Sequence, residues 1–316
     1  MPDDVFIFAI SLGTVIAGAN LLVGAASSFA RLLRLPEVIV GATVVSIATT
    51  LPEIFVSFFA GISAHEQVAL GNILGSPLVN LGLIAGIMFL FAHPSHQLES
   101  HGLGIRRVAV LVLVSIAVLG LMLFVKEIPA VLGWVLMGAA FAYLLFILRY
   151  TLLDIETRPL ALGRTLFKDG KRDMVRFVVG AILLALGAYF LVVSATTLAE
   201  RLRVPESFIG LTFIAIGTSL PEFVTALVAL VRRHEQLALG NLAGASILTL
   251  TLAFGVAAVS GTIQIPPGLA TVEAPLGVFF ALLVFAATVM PQRRGVFGAT
   301  LVLSYGAYLA FFGLFR

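Results

Sequence analysis

Ser46-Ile-Ala-Thr-Thr-Leu-Pro-Glu53 is written a second time, 169 residues on, as Ala215-Ile-Gly-Thr-Ser-Leu-Pro-Glu222. The offset holds without a gap from Leu33–Asn80 to Leu202–Thr249. Identities include Pro36/Pro205, Glu37/Glu206, Gly41/Gly210, Thr43/Thr212, Thr49/Thr218, Pro52/Pro221 and Glu53/Glu222. The same offset matches His65-Glu66-Gln67 with His234-Glu235-Gln236 and Gly71-Asn72 with Gly240-Asn241, and it reaches back to Gly18/Gly187. Such a chain is a duplicated unit, and its function belongs where the two copies meet.

The medium around that unit is lipid. With 60% hydrophobic and 11% charged residues, the chain carries uncharged apolar runs of bilayer-spanning length along most of its course. Ten spans are expected, at 5–30, 37–63, 67–91, 105–125, 129–149, 174–199, 206–231, 237–260, 270–290 and 295–315. They fall into a first half, 1–150, holding the repeat at 37–91, and a second half, 174–316, holding the repeat at 206–260. A mixed-charge linker, 151–173, joins them. Met1-Pro-Asp-Asp has no basic n-region, so no cleavable signal is expected. The absence of cysteine excludes disulfides and thiolate metal sites. Basic residues sit in short loops beside spans, outside any nucleic-acid-binding module.

Fifteen of the 19 lysines and arginines fall in the loops on one side, counting Arg31, Arg106, Arg149, Lys171, Arg232 and Arg293 among them. The other side holds Lys126, Arg201, Arg203 and Arg316. The rich side is therefore expected to be cytoplasmic, with both termini outside. Five spans per half turn the second half upside down. The expected fold is an all-α membrane protein of ten transmembrane helices, two inverted five-helix repeats, in the cytoplasmic membrane.

Glu53 and Glu222 each fall about halfway along a span, where an ionisable residue costs roughly 3 kcal/mol to insert. No lysine or arginine lies in a span interior to pair with them. A protonated glutamate hydrogen-bonded inside the bundle is the bland alternative, and duplication after Leu-Pro argues against it. Pro52 and Pro221 should each break their helix four residues back, near Ala48 and Gly217, freeing carbonyls. Freed carbonyls are tolerated at that depth only where they line a cavity or bind something. Together with the hydroxyls of Thr49, Thr50, Thr218 and Ser219 these are hard oxygen donors, suited to Ca²⁺ or Na⁺. The following spans add Ser76, Asn80 and Thr249. Asn72 and Asn241 lie nearer span ends and read as interhelical hydrogen-bonders.

Gly217-Thr-Ser-Leu-Pro-Glu222, with Gly71-Asn72-Ile-Leu-Gly-Ser-Pro-Leu-Val-Asn80, resembles the paired motifs of the calcium/cation antiporters, whose bacterial and archaeal members exchange calcium for sodium. The resemblance implies a central site between spans two, three, seven and eight. Glu53 and Glu222 would be its main carboxylate ligands, with Thr49 and Thr218 beside them. Thr50, Ser219 and the carbonyls of Ser46 and Ala215 would line flanking sodium positions, and Ser76 and Asn80 match further ligands. Departures from the family pattern are Ala48, Thr50 and Pro77 in the first repeat and Ala245, Ser246 and Thr249 in the second. The loss of oxygen at 245 and of acid at 249 weakens one sodium position.

The expected protein is thus not an enzyme and needs no cofactor. It is a secondary antiporter taking Ca²⁺ and Na⁺ as substrates, expected to act as a monomer in the bilayer. Alternating access would come from spans one and six moving against the core. Repulsion between two close carboxylates keeps H⁺ open as the counter-ion, and K⁺ is a further alternative. A cation channel fits inverted halves less well, and an intramembrane hydrolase lacks a Ser–His or metal-binding His pair at membrane depth. Glu37 and Glu206 read as first-turn acids that complement a helix dipole. The turns at His65 and His234 and the loop histidines His93, His96 and His101 read as solvated connectors.

Overall fold

The computed structural model describes residues 2–33, 35–62, 66–91, 102–156, 164–201, 217–261, 263–265 and 267–315. Among these residues the helices follow the expected order of ten spans, the seventh described from Gly217 onward. Seven helices are long and apolar enough to cross a bilayer, and Val108–Phe124 and Leu220–Val231 are shorter apolar helices. The linker is entered from both sides by helix, Ala130–Glu156 from the fifth span and Arg164–Arg201 into the sixth.

The inversion is visible in the packing. The first span, Pro2–Leu32, lies against the sixth, with Gly18 facing Gly180 and Leu184 while Gly187 faces Val15 and Ser11. Residue numbers rise on one helix as they fall on the other, so the repeat-related spans run antiparallel. Shifting the Gly18–Leu184 contact by 169 residues yields Val15–Gly187, which is also observed. The same operation relates Gly86–Val302, between the third and tenth spans, to Gly255–Gly133, between the eighth and fifth. A pseudo-two-fold axis therefore lies in the membrane plane, as inverted repeats require. A Cβ on Gly18 would come within 2.6 Å of the Leu184 nitrogen, so only glycine allows this approach.

Loops four–five and eight–nine meet in a two-residue antiparallel ribbon pairing Glu127 with Gln264 and Ile128 with Ile263. Both loops therefore lie on one side of the protein, as the parity of the spans demands.

The motif spans depart from plain α-helix. Glu37–Val40 passes through a π-helical turn, Gly41–Val45, into Ser46–Ile62. Glu66–Leu78 passes through Val79–Ile84 into Ala85–Phe91, and Glu235–Leu248 through Thr249–Ala253 into Phe254–Ser260. Asn80 and its repeat counterpart Thr249 both fall in these wider turns. Such turns recur at functional sites because they unwind the backbone locally.

One expectation is corrected. The helix does not break near Ala48: it continues through Pro52 from Ser46 to Ile62, and the irregular turn lies upstream. A proline removes one i→i−4 bond, and the bonds on either side keep the backbone helical. Around Pro221 a break does occur, with Ser219 out of helical geometry (φ −83°, ψ 7°) and a new helix opening at Leu220.

Candidate ion site

The two carboxylates come from the centre of the second span and the start of the Leu220–Val231 helix. Both are shielded from solvent, with Glu53 1% and Glu222 0% exposed. Glu222 occupies the first turn of its helix, where free N–H groups and the helix dipole favour negative charge. Thr50 Oγ1 donates to Glu222 Oε1 at 3.4 Å.

The third and eighth spans close the site. Asn72 Nδ2 donates to the Glu53 carbonyl and to Ser57 Oγ, both at 2.9 Å, which fixes the backbone beneath Glu53. Ser76 Oγ bonds Asn72 Oδ1 at 3.3 Å and meets Thr218 Oγ1 at 3.2 Å, joining the two halves. From the other side Thr49 Oγ1 donates to Asn241 Oδ1 at 3.2 Å. Both asparagines are thus interhelical hydrogen-bonders. Ser46 Oγ is turned to the Thr43 carbonyl at 3.1 Å, and its own carbonyl accepts from Thr49 at 3.5 Å.

Several buried atoms here have no hydrogen-bond partner: both Glu53 carboxylate oxygens, Glu222 Oε2, the Asn80 amide, and the hydroxyls of Ser219 and Thr249. Leaving one polar group unpaired in a dry interior costs about 1–3 kcal/mol, and more for a charged one. Orphaned oxygens on the repeated motif spans, among them two carboxylates, are what a site for a hard cation offers. Among the described residues no three His, Cys, Asp or Glu side chains come together. The charge of the site is therefore that of two carboxylates, helped by neutral oxygens.

Of the expected site residues, Ser46, Thr49, Thr50 and Glu53 fall on the second span, Ser76 and Asn80 on the third, and Thr218, Ser219 and Glu222 on the seventh. Direct contacts link Thr50 with Glu222, and Ser76 with Thr218. Ala215 lies outside the described residues, as do Glu206, His65, His93, His96 and His101. The sequence reading missed Glu273, a buried acid one to two turns into the ninth span, with Tyr308 OH 3.4 Å from its Oε1. Its repeat counterpart is Gly104, so duplication did not mark it; an acid inside an apolar run was the available signal.

Glu37 proves to be more than a first-turn acid. His234 Nδ1 lies 2.8 Å from Glu37 Oε1, Ser27 Oγ donates to the same oxygen at 3.0 Å, and Arg31 donates to Ser27 Oγ at 2.7 Å. His234 is held there by the end of the seventh span. Its N–H bonds the Ala229 carbonyl at 2.8 Å and that of Arg233 the Leu230 carbonyl at 3.0 Å, with Arg233 left-handed at φ 62°. This is a Schellman ending, built here on arginine where glycine is usual.

The sequence matches the family described as "Sodium/calcium exchanger protein" over residues 4–149 and 173–314. The chain belongs to that family. Inner membrane protein YrbG of Escherichia coli K12 is 32% identical over 295 residues, covering 90% of this chain and 89% of its own length. Sodium/calcium exchanger MaX1 of Methanosarcina acetivorans is 24% identical over 342 residues, covering 96% of each. A solved structure of the sodium-calcium exchanger NCX_Mj superimposes with a TM-score of 0.79 at 24% identity, over 96% of this chain and 98% of that one. The exchanger family fold thus extends over nearly the whole molecule.

Proposed function

We propose that this chain is an antiporter that exchanges Ca²⁺ for a monovalent cation, Na⁺ foremost, across the cytoplasmic membrane. Glu53 and Glu222 are its principal ligands. Thr49, Thr218, Ser76 and Asn80 sit beside them, and Thr50, Ser219 and the carbonyls of Ser46 and Ala215 line the flanks. The observation that carries this reading is the pair of buried carboxylates, one from each inverted half, whose unpartnered oxygens gather with hydroxyl and amide oxygens. The same two negative charges serve either one Ca²⁺ or monovalent ions, and that competition couples the fluxes. Family membership and the names of MaX1 and YrbG support the ions and the membrane.

Alternating access moves the first and sixth spans, which carry none of the proposed ligands and meet on bare glycine surfaces. The arginine-rich side is cytoplasmic and the termini are outside. A proton-coupled reading draws on one observation, two buried carboxylates with no cationic partner. The test is ⁴⁵Ca²⁺ uptake into proteoliposomes under imposed Na⁺, K⁺ or pH gradients. Uptake driven by an outward Na⁺ gradient supports sodium exchange, uptake driven only by a pH gradient supports the proton reading, and no gradient-driven uptake refutes both.

A further inference from the structure

A threonine inside an apolar helix ordinarily satisfies its hydroxyl on the preceding turn. Thr14, Thr43, Thr251, Thr288 and Thr300 each donate to the carbonyl four residues back. Thr225 does not. It is 0% exposed, and its Oγ1 has no hydrogen-bond partner. It lies three residues after Glu222, whose Oε2 is unpartnered, and Glu222 lies three after Ser219, whose Oγ is unpartnered too. The Phe223 N–H bonds the Ser219 carbonyl at 2.9 Å, so the helical turn reaches back to Ser219. Residues three apart share a helix face, and this face of the seventh span therefore carries three unpartnered oxygens in a row. The matching positions of the first half are Thr50, Glu53 and Val56: a hydroxyl bonded to Glu222, a carboxylate and an alkyl group.

The eighth span faces the same turn. In the first half Asn72 Nδ2 donates to the Glu53 carbonyl and to Ser57 Oγ. The inverted axis carries that contact to Asn241 and the turn from Glu222 to Ala226, which includes Thr225. Asn241 commits its Oδ1 to Thr49 and leaves Nδ2 without a partner. Glu222 Oε2, Thr225 Oγ1 and Asn241 Nδ2 are thus three buried, unpartnered groups on one helical hairpin. Their chemistry suits a cation that still holds a water: carboxylate and hydroxyl oxygens ligate the ion, and the amide N–H donates to the water. The seventh span ends at Val231, before Arg232 and Arg233. Thr225 therefore lies about 4.5 Å along the helix from Glu222 toward the arginine-rich side. The equivalent position toward the opposite side, beside Glu53, has Val56 in place of the hydroxyl and an Asn72 Nδ2 already bonded.

We infer that Thr225 is a further cation ligand, forming with Glu222 a loading position on the cytoplasmic side of the site that has no counterpart on the outer side. The inference rests on the antiport reading and the orientation given above. Its test is the half-saturating Ca²⁺ concentration for ⁴⁵Ca²⁺ uptake into Na⁺-loaded membrane vesicles. Everted vesicles report the cytoplasmic face and right-side-out vesicles the outer face. T225V, close to isosteric, should raise the cytoplasmic value about 3–10-fold, the equivalent of one lost polar contact. The rise should be confined to that face, and T225S, which keeps the hydroxyl, should recover the parent value. Without Ca²⁺, purified T225V should melt no earlier than the parent, because a methyl group replaces a hydroxyl that has no partner. An unchanged cytoplasmic value in T225V would overturn the ligand role, and so would an earlier melt or a T225S that behaves like T225V. A rise at the outer face, equal or alone, would overturn the assignment to one side. Absence of Na⁺-driven uptake by the parent protein would instead refute sodium antiport itself.

Discussion

Asn72→Ala and Asn241→Ala change the same residue of the same repeated motif, and the structure predicts that they differ. Asn72 makes three hydrogen bonds, to the Glu53 carbonyl, Ser57 and Ser76. Asn241 accepts one, from Thr49, and its Nδ2 has no partner. The repeat counterpart of Ser57 is Ala226, so the second asparagine has lost a hydroxyl acceptor. Side-chain hydrogen bonds between membrane helices average about 0.6 kcal/mol and reach about 1.7. Three of them put the loss for Asn72→Ala at about 2–5 kcal/mol, against about 1 kcal/mol for Asn241→Ala. The cavity left behind is the same in kind, so it largely cancels in the comparison. Thermal melts followed by size-exclusion chromatography in detergent should place Asn72→Ala several degrees below Asn241→Ala, since about 1 kcal/mol corresponds to roughly 2–4 °C in a chain of 150–250 residues. Equal midpoints would refute the asymmetry, and a lower midpoint for Asn241→Ala would reverse it.

Gly18→Val and Gly187→Val should each push the first and sixth spans apart, costing about 1–3 kcal/mol by overpacking and slowing Ca²⁺ flux to a similar extent; melts and uptake assays would show a difference if the axis does not relate the two sites. Arg233→Gly should raise the melting midpoint slightly, because a left-handed non-glycine residue costs about 1–2 kcal/mol and glycine's added chain entropy offsets about 0.5–1 of it; a lower midpoint would mean that the arginine side chain contributes more than its backbone costs. Cysteines introduced singly at Arg232 and Gln264 should be labelled from the cytoplasm and from outside respectively by a membrane-impermeant maleimide; labelling of both from one side would refute the inverted orientation.

The inverted fold was legible because duplication leaves a constant offset, and an odd number of spans per half leaves no other arrangement. The site carboxylates were legible for a related reason: glutamates at mid-span, written twice, are too costly to be incidental. What escaped the sequence was the response of the backbone. Pro52 and Pro221 are the same residue in the same motif, yet one is absorbed by a continuous helix beneath a π-helical turn and the other begins a new helix. That difference depends on packing, which no local pattern records. Glu37 looked like a dipole partner because its histidine is nearly two hundred residues away. Glu273 stands in an apolar run with glycine at its repeat position, so an argument built on pairs passed over it. The change from Ser57 to Ala226 was visible as letters, but that it leaves Asn241 Nδ2 without a partner appeared only in the packing.

The central claim is that one pair of carboxylates holds Ca²⁺ and its counter-ion in turn. Equilibrium ⁴⁵Ca²⁺ binding to the purified protein, titrated with NaCl against a choline chloride control, tests it most directly, with Glu53→Gln and Glu222→Gln alongside. The parent protein should bind one Ca²⁺ per chain and release it as Na⁺ rises. Each variant should lose that binding while melting no earlier than the parent, because removing a buried charge relieves its insertion cost. Retention of Na⁺-sensitive Ca²⁺ binding by either folded variant would contradict the account.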